Sequence, residues 1–285
     1  MSSSVKRFTL LLVFTVLYRA KSPAQVQFRQ VNKNMIEARL KRFSDDNQER
    51  EVTIKQLFAE SGCKDDKLSE QVVKSRLPPN VICMLPGTTS EEIVVGAHTD
   101  KVEKGDGVVD NWSGASLLSS LYFSLSAQPR KHTYVFIAFT AEEQGLVGSD
   151  YYTHHLTPQE RSKIEAMVNM DTLGLGPTKV WASHADKDLL KALSATAAGL
   201  ELPIAVVNVD HVGTTDSESF EEYKIPRITI HSLTQKTWPI LHSPKDCMEA
   251  IKMDDYYDSY RLIAGYLAYL DSKLGQEAPQ PAASK

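Results

Sequence analysis

The sequence has no excess of basic residues: 32 lysines and arginines stand against 36 aspartates and glutamates, a formal charge of −4. A general nucleic-acid binder needs a basic footprint, so no nucleic-acid partner is expected. There is no G-x-S-x-G elbow, and Cys247 has no motif around it. Serine and cysteine hydrolase chemistry is therefore unsupported. No low-complexity block dominates, and no internal repeat or linker divides the chain. With 42% hydrophobic residues over 285 positions, it can bury one substantial core.

The apolar run from Phe8 to Tyr18 is too short to span a bilayer comfortably as a helix. Lys6 and Arg7 precede it, and Ser22-Pro23-Ala24 offers a cleavage site before Gln25. Together these features describe a secretory signal peptide over residues 1–24, and predict a secreted or periplasmic protein. Its removal takes away Lys6, Arg7, Arg19 and Lys21 and no acid, moving the formal charge from −4 to −8. No cysteine follows the run, so neither a lipoprotein link nor another stable membrane anchor is expected. Residues 25–274 read as a single folded domain with its first helices, within 30–62, packed on it. Residues 275–285, rich in Ala, Pro and Gln, read as a disordered tail. Three cysteines is an odd number for an exported chain. Cys63, after a predicted helix, and Cys83, in a predicted strand, can pair and leave Cys247 over. Three buried free thiols are the alternative.

Helical patterns cover about Asn32 to Phe43 and Glu49 to Glu60, with Ser44-Asp45 as a cap between them. After Pro78-Pro79 come runs of strand formers: 80–85, 93–97, 134–139 and 167–170, then 180–181, 205–207 and 227–230. The runs at 93–97 and 134–139 lack polar alternation, as in strands buried on both faces. Leu118, Leu121, Tyr122 and Leu125 share one helical face. Further helices are expected around Leu189–Leu193 and from Tyr256 to Leu270. Strand–helix alternation of this kind predicts an α/β fold: a three-layer sandwich with a mostly parallel, mixed central β-sheet flanked by helices.

The strands end in chemistry. The 93–97 run stops at His98-Thr99-Asp100, the 134–139 run leads to Glu142-Glu143, and the 167–170 run stops at Asp171. Sites in open α/β sheets assemble at the carboxyl ends of strands, so three such ends point into one crevice. In His98-Thr99-Asp100 an extended backbone would let the Asp100 carboxylate reach the imidazole of His98 and raise its basicity as a ligand. Asp110 lies in Gly105-Asp106-Gly107-Val108-Val109-Asp110, a glycine-containing loop just before a helix, and could be a metal ligand or a helix cap. Adjacent carboxylates such as Glu142 and Glu143 demand positive compensation. In extended backbone they would point apart, one towards a metal and one towards a water.

The segments Gly96-Ala97-His98-Thr99-Asp100, Asp110-Asn111-Trp112-Ser113-Gly114, Glu142-Glu143-Gln144-Gly145-Leu146-Val147-Gly148-Ser149 and Asn169-Met170-Asp171 resemble the cocatalytic zinc peptidases of the bacterial leucyl aminopeptidase type. The likeness spans about Val81 to Leu270. It implies a secreted zinc-dependent exopeptidase acting on a peptide or aminoacyl substrate, with two zinc ions per chain; an aminopeptidase is favoured over the alternatives of a carboxypeptidase or dipeptidase. Asp110 would bridge the ions, His98 and Asp171 would complete one site, and Glu143 with His242 the other. Glu142 would be the general base and Asp100 the partner of His98. His242 is favoured because His242-Ser243-Pro244-Lys245-Asp246 matches the family pattern; His231-Ser232 is its competitor. Asp216 resembles a residue near the family's site but lacks the usual following histidine, so it is given a supporting role. A cis peptide at Asp110–Asn111 is also implied. Glutaminyl cyclases share this fold with a single zinc, and a binding relative without catalysis is a third possibility. Metal stoichiometry separates the three. Trp112, Trp181 and Trp238 are open candidates for a specificity pocket.

Overall fold

A computed structural model of the chain describes residues 28–275. The segment read as a signal peptide and the tail beyond Gly275 lie outside the described residues. The chain opens with helices α1 (Lys33–Leu40) and α2 (Asn47–Glu60) and strands β1 (Leu68–Gln71), β2 (Asn80–Leu85) and β3 (Glu92–His98). Helix α3 (Ser113–Ser126), strand β4 (Thr133–Phe139) and helices α4 (Val147–His155) and α5 (Pro158–Arg161) follow. Strands β5 (Ile164–Met170) and β6 (Lys179–Val180) lead to helix α6 (Lys187–Leu200). Strands β7 (Ala205–Val206) and β8 (Arg227–His231) precede the long helix α7 (Met253–Lys273).

The strands form one eight-stranded mixed sheet in the order β1-β2-β4-β3-β5-β8-β6-β7. Its centre, β4-β3-β5-β8, is parallel throughout. Antiparallel pairing joins β1 to β2, β2 to β4 and β6 to β8. Successive side chains of a strand face opposite ways, so an unbroken apolar run feeds two cores. Ile93, Val95 and Ala97 enter the larger core, beneath α3 and α7, whereas Val94 enters the smaller one with Tyr152 of α4 and Phe220. Both faces of the sheet are thereby covered, as the three-layer α/β reading requires. No helix among the described residues is long and apolar enough to cross a membrane.

Helix α3 is buried almost all round, not only along its leucine face. Its serines make this possible by bonding within the protein. Ser113 Oγ donates to Val109 O at 2.7 Å, and Ser124 Oγ lies 2.7 Å from Tyr260 Oη on α7. The hydroxyls are small enough to admit α7 and polar enough to satisfy its tyrosines.

Helix α2 starts two residues earlier than expected, and its cap lies one residue later. Asp46, rather than Ser44-Asp45, is the cap: its carboxylate accepts the N–H groups of Gln48 and Glu49. Ser44 instead donates to Glu49 Oε2 at 2.6 Å. Cys63, just past α2, is bonded to Cys83 on β2, and Cys247 is free. A crosslink closing a loop of this length stabilises a fold by about 3 kcal/mol in the chain-entropy account. It fastens the amino-terminal helices to the sheet.

Candidate metal centre

Three strand ends and two loops converge at the carboxyl edge of the parallel strands. His98 is the last residue of β3, Asp171 directly follows β5, and Glu142-Glu143 follow β4. Asp110 and His242 come from the loops before α3 and α7. His98 Nε2 lies 3.3 Å from Asp110 Oδ1, 3.8 Å from Asp171 Oδ1 and 3.9 Å from Glu142 Oε2. His242 Nε2 lies 3.4 Å from Asp110 Oδ2 and 3.0 Å from Glu143 Oε2. Two sets of potential ligands result, His98–Asp110–Asp171 and Asp110–Glu143–His242, and Asp110 offers one oxygen to each. His98, Glu142 and Glu143 form a third grouping of suitable size.

Each side chain is aimed by neighbours. Asp246 accepts the N–H of Val109 at 2.7 Å and of Asp110 at 3.3 Å, fixing the loop that carries Asp110. Asn111 donates to Met170 O and accepts from Gly114 and Thr172, tying that loop to the end of β5. The Asp110–Asn111 peptide is cis. Thr215 donates to Asp171 Oδ2 at 2.7 Å and accepts from Asn169.

Asp100 has a wider role than expected. His98 Nδ1 is 3.3 Å from the Asp100 main-chain carbonyl and 3.5 Å from its carboxylate. The same carboxylate accepts the backbone N–H groups of Glu142 at 3.0 Å and Glu143 at 3.2 Å. Those two glutamates therefore sit on a 3₁₀ turn, Glu142–Gln144, not on extended backbone. They still diverge: Glu142 approaches His98, and Glu143 approaches His242.

The competing histidine is occupied elsewhere. His231 Nε2 is 2.9 Å from Val207 O, and its Nδ1 accepts from Leu233 N at 3.1 Å. Burial lowers its pKa to about 4, so it stays neutral as a wall of the cleft. Asp216 is fully buried behind the site, both its oxygens without a hydrogen-bond partner. Burial raises it to about 7, against the pull of His98.

Burial and mutual contact shift the proton affinities of the cluster. Burial alone would lower the His98 pKa, but the Glu142, Asp100, Asp110 and Asp171 carboxylates hold it well above its ordinary value. Burial pulls Asp110 up, yet His242 and His98 keep its carboxyl below the usual carboxylate range. Contact with Asp110, against burial, raises His242 to about 9 with help from Glu143. Burial pushes Glu142 up to about 10 and Glu143 to about 7, and nearby acids add to both shifts. Among the described residues no lysine or arginine forms an ion pair with Asp110, Glu142, Glu143 or Asp171. Asp171 Oδ1 is buried without a hydrogen-bond partner. Nitrogen and oxygen donors without thiolates, in a pocket short of positive charge, fit divalent zinc.

The centre lies in an open cleft of about 610 Å³. Trp181, Val209, Leu233, Trp238 and Leu241 form its apolar wall. Trp112 does not take part: it is buried, and its indole N–H donates to Leu40 O at 2.8 Å.

Residues 80–267, two thirds of the chain, match the sequence profile of peptidase family M28. The chain belongs to that family. This M28 chain is similar to aminopeptidase YwaD of Bacillus subtilis, 26% identical over 197 residues, which cover 66% of the chain and 42% of that relative. Among solved structures it resembles BSAP, a zinc aminopeptidase from Bacillus subtilis, at 25% identity and a TM-score of 0.61. That match covers 67% of this chain and 49% of the other, so the M28 chain spans less than half the length of either relative. An Acidobacteriales glutaminyl cyclase shares the fold at 17% identity and a TM-score of 0.67, covering 88% of this chain and 99% of that one.

Several residues of the centre escaped sequence reading. Asp246 was visible only as the last position of the His242 pattern, without a task. Thr215 and Asn111 lay inside noted segments, but their hydrogen bonds cross about forty and sixty positions of chain, respectively. Arg50 gave no signal at all.

Proposed function

We propose that this chain is an exported zinc aminopeptidase that removes residues from the amino end of peptides. The observation that carries this reading is the division of Asp110, one oxygen facing His98 and the other facing His242. In this reading His98 and Asp171 would hold one zinc, Glu143 and His242 would hold a second, and Asp110 would contribute to both. Bound zinc supplies a water of lowered pKa and polarises the scissile carbonyl. Glu142 would take a proton from the attacking water and deliver it to the departing amine. Asp100 keeps the His98 ring oriented and holds Glu142 and Glu143 on their turn. Similarity to aminopeptidases of the family supports the amino-end choice.

Zinc per chain, with turnover of an aminoacyl chromogenic panel before and after chelation, tests the reading. About two zinc ions are expected, with activity lost on chelation and restored by zinc. One zinc and no peptide cleavage would favour the single-zinc cyclase chemistry instead. No zinc after reconstitution would leave a binding protein. Export is supported by the leader-like composition of residues 1–24 and by the Cys63–Cys83 disulfide, a bond suited to an oxidising compartment. The amino-terminal sequence of the protein recovered outside the cytoplasm is expected to begin at Gln25; retention of Met1 would refute the cleavage.

A further inference from the structure

Helix α2 lies outside the residues that match the family, yet one of its side chains reaches the loops of the metal centre. Arg50 is fully buried. Its Nε donates to Ser44 O at 2.7 Å, and its Nη1 donates to Thr99 O at 3.1 Å. Nη2 donates to the carbonyls of Asp106 and Gly107, the second at 3.1 Å. Thr99 stands between His98 and Asp100, and Asp106-Gly107 open the turn that delivers Asp110. One rigid guanidinium fork therefore joins two segments that carry ligands.

The turn is shaped around this group. Gly107 has a φ of 58°, and a Cβ added there would lie 2.9 Å from Arg50 Nη2 and 2.5 Å from Lys101 Cβ. The guanidinium also lies over the Trp112 ring, 5.5 Å from its centroid. A buried arginine is ordinarily paired with a carboxylate. Here its hydrogen-bond partners are four carbonyls, and its charge faces Asp246, Asp100 and Asp110 without closing an ion pair on any of them.

We propose that Arg50 is a positioning residue for the metal centre. It holds the end of β3 against the 105–110 turn so that His98 and Asp110 meet. The inference rests on the zinc reading given above. Lysine cannot reproduce it, because an ammonium lacks the planar fork that reaches separate carbonyls.

The test is the zinc dissociation constant of wild type, Arg50→Met, Arg50→Lys and Ile54→Ala, measured by competition with a chromogenic chelator. The temperature is one at which circular dichroism shows every variant folded. Ile54 is buried on the same helix and packs into the core, so Ile54→Ala reports loss of stability alone. Arg50→Met is expected to weaken zinc binding about 10–100-fold, the range for residues that orient ligands, and Arg50→Lys by less. Ile54→Ala is expected to lower the unfolding midpoint and leave the zinc constant unchanged. Wild-type affinity in Arg50→Met, or an equal loss in Ile54→Ala, overturns the assignment. If Arg50→Met does not fold, the comparison of Arg50→Lys with Ile54→Ala decides in the same way. A wild-type chain that binds no zinc overturns the metal reading itself, and this one with it.

Discussion

Glu142→Gln is expected to lower kcat about 10²–10⁴-fold, the usual worth of a positioned general base, while zinc content stays at the wild-type value. The substitution keeps the size of the side chain and removes only its ability to take a proton. The backbone N–H of residue 142 remains bonded to Asp100, so the turn is retained. Two readings of Glu142 are separated by this one variant. It lies 3.9 Å from His98 Nε2 and could itself be a ligand, since His98, Glu142 and Glu143 form a group of suitable size. As a ligand, its change to an amide would release metal; as a base, it would stop turnover with the metal in place. The pair of measurements is zinc per chain and kcat on an aminoacyl chromogenic substrate. A loss of less than about tenfold in kcat with full zinc would remove the base role.

Local physics was readable in this sequence where it was strong. The run at 80–85 is strand β2 to the residue, and the runs at 93–97 and 134–139 are the cores of β3 and β4. Continuous β-branched and aromatic residues admit few other fates between buried layers. Strand β1 was not foreseen: Leu68-Ser69-Glu70-Gln71 has no apolar run and pairs because β2 offers it an edge. Helix α4 was missed because its sequence is largely polar, and Tyr152 packs it on the sheet. At the α2 cap, Ser44, Asp45 and Asp46 are all competent, and only the three-dimensional path of the chain selects Asp46.

The metal centre follows the same rule. His98, Glu142-Glu143 and Asp171 stood out because they end or follow strands, a pattern visible along the chain, whereas Asp110 and His242 were placed by the family resemblance. The conformation of the Glu142-Glu143 pair did not, because it is set by Asp100, more than forty positions earlier. Arg50 is the limiting case. On paper it is one more charge on a polar helix; folded, it is buried under four carbonyls from three segments. Long-range polar contacts leave no periodicity behind, so neither propensity nor spacing discloses them.

Asp110→Asn is expected to abolish activity and to remove both zinc ions, whereas Asp171→Asn and His242→Ala are each expected to remove one. The difference follows from where the oxygens of Asp110 point. Oδ1 lies 3.3 Å from His98 Nε2, and Oδ2 lies 3.4 Å from His242 Nε2. An amide keeps one oxygen and replaces the other by a donor that repels a cation, and it removes the negative charge that both sites share. The loop itself is held by Asp246 through backbone N–H groups, which the substitution leaves in place, so lost metal reports lost ligation. The fall in zinc affinity should exceed the roughly 10–100-fold cost of losing a residue that merely orients a ligand. Metal content by atomic absorption and affinity by chelator competition read the outcome. If Asp110→Asn retains one tightly held zinc, Asp110 belongs to a single site, and the two-zinc assignment fails at its shared ligand.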